Sequence, residues 1–203
     1  QNNTLTIKAT DIKVNFETKI PVEIEEEGST TVFCDKFLGI LSVLDEGEIV
    51  FELQQKDNQT VALIRHSTKK NKFQLKCTSQ DKFPEFPIAE KVPFFEVPSK
   101  EIKKMISQTS FAVSADETRY FMNGVYFEKR DNKLVLVATD GRRLAYASKE
   151  FPEGIADFPA AIVHPKVLNI VAKHLSDEGN ISIAIVDKMI FFRFQNYELS
   201  STL

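Results

Sequence analysis

Two stretches of this chain carry the same pattern at long range. Leu5-Thr6-Ile7-Lys8-Ala9-Thr10-Asp11 returns as Leu134-Val135-Leu136-Val137-Ala138-Thr139-Asp140, 129 residues further on, and the segments that follow keep their order. Lys36-Phe37-Leu38 answers Lys166-Val167-Leu168, and Asp45-Glu46-Gly47 answers Asp177-Glu178-Gly179. Phe73-Gln74-Leu75-Lys76-Cys77-Thr78 answers Tyr197-Glu198-Leu199-Ser200-Ser201-Thr202. So long a period exceeds the ~20–50 residues of solenoid repeats and predicts two whole domains, each with its own core.

The offset also predicts missing ends. About 40 residues (94–133) precede the Ala-Thr-Asp segment of copy two, whereas copy one has almost nothing before its own. Copy one continues through Asp81-Lys82-Phe83-Pro84-Glu85-Phe86-Pro87, whereas copy two stops at Leu203. The expected organisation is a first domain at 1–80, truncated at its N-terminus, and a second at 94–203, truncated at its C-terminus. Between them lies a stiff linker at 81–93 with three prolines.

With 42% hydrophobic and 27% charged residues, the composition is that of a globular protein. No apolar run approaches the ~20 residues that span a bilayer, so no membrane partner is expected. A net charge of −3 argues against coating nucleic acid by bulk electrostatics but leaves room for a local basic surface. Cys34 and Cys77 have no counterparts in copy two. They read as reduced core thiols, which suits a reducing cytoplasm.

Alternation with period two predicts strands at 4–8, 48–54, 60–65, 72–77, 120–128, 134–138, 144–148, 181–186, 190–194 and 197–201. Each copy thus closes with a three-strand meander. Turn residues separate the strands, as at Lys56-Asp57-Asn58 and Arg130-Asp131-Asn132. Helical spacing predicts helices at 35–44, 99–109 and 166–175. The first has Asp35 as N-cap and Phe37, Leu38, Leu41 and Leu44 inward. The second has Ile102, Met105 and Ile106 inward, and the third Val167, Leu168, Val171 and Leu175, with Pro165 opening it. A complete domain would hold two helices and about eight strands, an α+β fold.

Catalytic motifs are lacking. The three histidines are scattered, and no metal-ligand, nucleophile-elbow or phosphate-loop spacing occurs, so no catalytic residue, metal or cofactor is assigned. Asp140 could be imagined as a general base, but its duplication as Asp11 favours a turn residue accepting backbone N–H bonds. Lys36 and Lys166 share one register of the duplicated helix, and Lys103, Lys104 and Lys173 are also helical. These side chains either coat solvated faces or replace counter-ions along a nucleic-acid backbone. Arg119-Tyr120-Phe121 adds a basic-aromatic group that can equally begin a core strand. Asp140-Gly141-Arg142-Arg143-Leu144 combines a tight turn, two arginines and an apolar residue, which suits a peptide-binding edge or merely a charged hairpin end.

Asn123-Gly124-Val125-Tyr126-Phe127-Glu128 followed by Leu136-Val137-Ala138-Thr139-Asp140-Gly141-Arg142-Arg143-Leu144-Ala145 closely resembles the middle domain of the bacterial DNA polymerase III beta subunit, the sliding-clamp family. The likeness runs through essentially the whole chain, including Asp81-Lys82-Phe83-Pro84. It implies a DNA-clamp fold of like domains, three per chain, closing as a head-to-tail homodimer around double-stranded DNA. The third domain would lie outside this chain. It further implies a non-enzymatic processivity factor, cytoplasmic and nucleoid-associated. Its implied partners are the replicative DNA polymerase, the clamp loader and other proteins with clamp-binding motifs.

By the same resemblance Lys36 and Lys166 face the hole, and Arg119, Tyr120 and Phe121 touch DNA near its edge. Met122, Thr139, Gly141, Arg142, Arg143 and Leu144 form the middle-domain half of a partner-peptide groove. Three positions depart from the family pattern: Phe121 replaces a common Tyr, Pro165 a common basic residue and Arg142 a common His. Two other readings of the sequence are an α+β protein-interaction scaffold that does not bind DNA and a hydrolase using Asp11 or Asp140.

Overall fold

The computed structural model describes residues 3–57, 59–87, 92–152 and 154–203. Asn58 of the 56–58 turn and residues 88–91 of the expected linker lie outside the described residues. The chain forms two compact units, one of residues 1–3 and 22–85 and the other of 4–21 and 86–203.

In the first unit, helix α1 (Cys34–Val43) accompanies a meander of β3 (Ile49–Lys56), β4 (Gln59–His66) and β5 (Lys72–Lys76). Its buried core is small: Ala62, Ile64 and Leu75, packed by Val32, Phe37, Ile40, Leu44 and Cys77. The apolar period of α1 therefore runs 37, 40, 44, and Leu38, expected inward, is 62% exposed. Asp35 is not the N-cap either. Phe33 holds that position without a side-chain hydrogen bond, and Asp35 sits in the first turn, where a carboxylate complements the helix dipole. Both thiols are free, but Cys34 is exposed rather than in a core.

Among the described residues, the second unit contains two antiparallel sheets and two α-helices. Strands β1 (Thr4–Thr10) and β2 (Val14–Pro21) join β6 (Phe95–Pro98), β11 (Asn180–Val186), β12 (Met189–Phe194) and β13 (Tyr197–Thr202) in the order β1-β2-β13-β12-β11-β6. The second sheet has the order β10-β7-β8-β9, from β7 (Val125–Arg130), β8 (Lys133–Thr139), β9 (Leu144–Glu150) and β10 (Ala161–Val163). Helices α2 (Ser99–Thr109) and α3 (Pro165–His174) share one core with both sheets. Ile102, Met105, Ile106, Val167, Leu168 and Val171 meet Phe127, Leu134, Leu136, Ile183, Phe192 and Leu199 there. Among the described residues, 94–203 hold two α-helices and eight strands, an α+β arrangement.

The sequence copies and the compact units do not coincide. Thr4–Pro21 opens copy one, yet β2 pairs with β13 at Phe16↔Leu199 and Thr18↔Tyr197. Gly124 precedes β7 where β10 crosses closely. A Cβ there would lie 2.5 Å from Ile162 Cγ2 and 2.8 Å from Val163 O, so only glycine fits without displacing backbone.

Candidate functional site

The turn after β8 is built by hydrogen bonds that its residue types dictate. Asp140 Oδ1 accepts from Arg142 N at 2.9 Å and Arg143 N at 3.0 Å, and Oδ2 accepts from Arg143 Nε at 3.0 Å. Thr139 Oγ1 accepts from Gly141 N at 3.1 Å and donates to Arg143 O at 2.7 Å. Gly141 takes φ +86°, which glycine adopts without steric cost. The backbone N–H groups of Arg142 and Arg143, then the Arg143 guanidinium, hold the Asp140 carboxyl below the usual range.

Copy one repeats the backbone N–H bonds of this network. Asp11 Oδ1 accepts from Lys13 N at 3.1 Å and Val14 N at 2.8 Å, Thr10 Oγ1 accepts from Ile12 N at 2.9 Å, and Ile12 takes φ +80°. Both aspartates serve as turn acceptors. Among the described residues, no cluster of three His, Cys, Asp or Glu side chains could hold a metal ion.

Around the Asp140 turn the structure gathers most of the residues assigned to the groove. A Cβ built on Gly141 would lie 3.8 Å from Arg119 Nη1 and 4.0 Å from Met122 Sδ, so the turn and the 119–122 segment are neighbours. Arg143 is held by Phe111. Its Nη2 donates to Phe111 O at 2.8 Å, and the guanidinium lies over the Phe111 ring at 5.5 Å. Leu144, first in β9, is 67% exposed although apolar. Phe111 is a member of this surface that sequence reasoning missed. It follows α2 directly, where an aromatic residue reads as core, yet it is exposed and in contact with Arg143.

Arg119, Tyr120 and Phe121 also lie here, but not in a strand. Tyr120–Met122 forms a 3-10 turn and β7 starts only at Val125, which corrects the expected strand at 120–128. Met122 N donates to Arg119 O at 2.8 Å, and Ser114 N donates to Met122 O at 2.9 Å, so the segment closes on itself. Tyr120 and Phe121 stand edge to face, exposed, with centroids 5.5 Å apart. Asp116 steadies the approach. Its Oδ1 accepts from the Thr118 hydroxyl and backbone N–H, and its Oδ2 lies 3.3 Å from Arg119 Nε.

The lysines lie on the outer faces of α2 and α3, whose inner faces enter the core, and on α1, which is half-buried at Phe37 and Ile40. In α3, Pro165 is the first residue and His164 caps the helix, its Nδ1 accepting from Lys166 N at 3.1 Å. That places Lys166 outward, with Lys173 on the last turn. Lys36 is exposed on α1, its ammonium over the Phe33 ring at 5.8 Å. Lys103 and Lys104 are on α2. Arg142 is exposed on the turn.

Two family descriptions divide the chain between them. Residues 1–87 match the N-terminal domain of the DNA polymerase III beta subunit, and residues 96–203 match its central domain. The chain belongs to the DNA polymerase III beta-subunit family. This is a family of accessory subunits rather than enzymes, which leaves the hydrolase reading without support. The chain is 42% identical over 203 residues to the beta sliding clamp of Treponema pallidum, covering all of this chain and 54% of that protein. It is 31% identical over 210 residues to that of Halalkalibacterium halodurans, across 98% of this chain and 54% of that protein. The chain therefore spans about half the length of these curated relatives.

Among solved structures, the sliding clamp of Bartonella birtlesii bound to griselimycin superposes with a TM-score of 0.88. Identity there is 32%, with 100% of this chain and 55% of that chain covered. The Bacillus subtilis clamp gives a TM-score of 0.88 at 26% identity, with the same coverage. The α+β clamp fold is thereby established.

Proposed function

We propose that the complete protein is a processivity factor, a ring that encloses double-stranded DNA as a homodimer and tethers the replicative polymerase to it. One observation carries this reading: α2 and α3 bury an apolar face, α1 half-buries one through Phe37 and Ile40, and all three carry lysines on exposed positions, in both copies of the repeat. A basic helix face of this kind meets phosphates without reading bases. Retention by closure rather than by affinity suits a chain whose total charge is −3.

The surface around the Asp140 turn is the second part of the proposal. Met122, Thr139, Gly141, Arg142, Arg143 and Leu144 would form one wall of a groove for the peptide motifs of the polymerase, the clamp loader and other partners. An exposed leucine beside Arg142, with Arg143 fixed by Asp140 and Phe111, supplies the apolar anchor and a directional donor that such a peptide needs. Arg119, Tyr120 and Phe121 would meet DNA from the neighbouring segment. The setting is the bacterial cytoplasm, on the nucleoid. Among the described residues, no helix is long and apolar enough to cross a membrane.

The test is topological. Complete protein loaded by its loader onto nicked circular duplex should co-elute with the circle in high salt and be lost once the circle is cut. Equal retention on circular and linear duplex would mean that affinity, not enclosure, holds the complex.

A further inference from the structure

The outward lysines of the second unit are not equivalent. Lys166 Nζ lies 2.5 Å from Asp11 Oδ2, across from α3 to the turn between β1 and β2. Lys103 Nζ lies 2.7 Å from Asp177 Oδ1 and also donates to Leu175 O at 3.4 Å. Among the described residues, Lys100, Lys104 and Lys173 form no ion pair with a carboxylate.

Asp11 is held ready for this pairing. Its Oδ1 is fixed by the N–H groups of Lys13 and Val14, so Oδ2 points to Lys166 with little rotamer freedom left to lose. In the duplicated turn the equivalent oxygen of Asp140 binds Arg143, a neighbour in sequence. At Asp11 it reaches a cation 155 residues away. The Lys166 ammonium, followed by the Val14 N–H, keeps the Asp11 carboxyl below its ordinary range.

We propose that Asp11 is a built-in counter-ion of Lys166, competing with DNA phosphate for the ammonium group and loosening the grip of α3 on the duplex. This rests on the DNA-facing reading of Lys166 given above. A free lysine that meets a phosphate releases a condensed counter-ion, and that release is the main source of backbone affinity. A lysine already paired must give up its carboxylate, which then stands charged beside the phosphates. The contact gains little, and the duplex passes α3 without a deep local minimum. A ring that slides needs weak, evenly spaced contacts, and one fixed carboxylate weakens a contact that geometry would otherwise make strong.

The test is the salt dependence of binding to a short open duplex, followed by anisotropy with the complete protein. Asp11→Asn keeps the turn's acceptor oxygen and removes the charge. It should tighten binding roughly three-fold and steepen the dependence by about one phosphate contact. The added slope should vanish when Lys166→Ala is combined with it. Asp11→Ser, which also preserves a turn acceptor, should behave alike and guards against a folding defect in the first variant. A slope unchanged in both Asp11 variants, or an added slope that persists without Lys166, overturns the counter-ion role. Lys36→Ala tests the DNA reading separately: it should lose about one contact of slope, and no loss there would remove the basis of both proposals.

Discussion

At the scale of single residues, the duplicated turn was legible almost to its hydrogen bonds. Thr-Asp before a reversal dictates an acceptor for the next N–H groups, and both Asp11 and Asp140 supply it. The repeat did not reveal that the shared backbone suits only one of its two occupants. Gly141 takes φ +86° freely, whereas Ile12, a β-branched residue, is held at φ +80° with 82% of its surface exposed. Its left-handed conformation costs about 1–2 kcal/mol, and glycine would cost about 0.5–1 kcal/mol in unfolded-chain entropy. Almost no packing is lost with so exposed a side chain. Ile12→Gly should therefore stabilise the protein by about 0.5–1 kcal/mol, read as a higher urea midpoint at unchanged slope. The mirror substitution Gly141→Ala should lower the midpoint, and a rise in its place would mean that the two turns are not equivalent.

Among the elements, helices were read better than short strands because a helix needs several periodic apolar residues and a three-residue strand needs none. Ile102, Met105 and Ile106 are buried as their spacing requires. The three-residue β10 has no room for a pattern, and β6, with four residues, scarcely more. β2 was readable in principle, since Val14, Phe16 and Ile20 alternate, but its polar Asn15 and Thr18 are buried against β13 and its neighbours and blur the period. At 120–122 the aromatic run imitated a strand. Only the backbone bonds of Arg119 and Met122 reveal the turn, and those are invisible in composition.

The duplicated helices differ in a way that a pair of substitutions exposes. Leu168 of α3 is fully buried, while Leu38, its counterpart in the repeat, is 62% exposed on α1. Leu168→Ala should cost about 2–5 kcal/mol, and Leu38→Ala within about 0.5 kcal/mol, by denaturant melts of the chain. Comparable losses at both sites would contradict the different facing of the two helices.

Across the whole molecule, the sequence repeat, the family match and the packing draw three different boundaries. The central-domain match begins at 96, yet the sheet that completes the core of this unit takes β1 and β2 from residues 4–21. Repeats record how a chain was duplicated, whereas sheets form wherever a free edge meets a complementary strand, so the sequence alone could not locate this seam. The seam is specific. Val14 and Phe16 pack on the core, and the Phe16 ring lies 5.4 Å from that of Tyr197. Asn196 Nδ2 donates to Thr18 Oγ1 at 3.1 Å and Lys19 O at 3.0 Å, while Asn15 Nδ2 donates to the buried Ser200 hydroxyl at 3.3 Å.

A protein of residues 94–203 alone would leave the β13 edge open, lose two half-buried apolar contacts at about 1 kcal/mol each and strand the partners of Asn15 and Thr18. It should unfold at least about 2 kcal/mol more easily than the same segment with β1 and β2 present, and its bare edge should make it prone to associate. A synthetic peptide of residues 4–21 added in trans should bind that edge, raise the urea midpoint and suppress association measured by light scattering. The same peptide with Phe16→Asp should do neither, because the aspartate would bury a charge where the ring now sits. If residues 94–203 melt at the same midpoint with and without the native peptide, β1 and β2 are passengers on this unit and its boundary lies where the family match puts it.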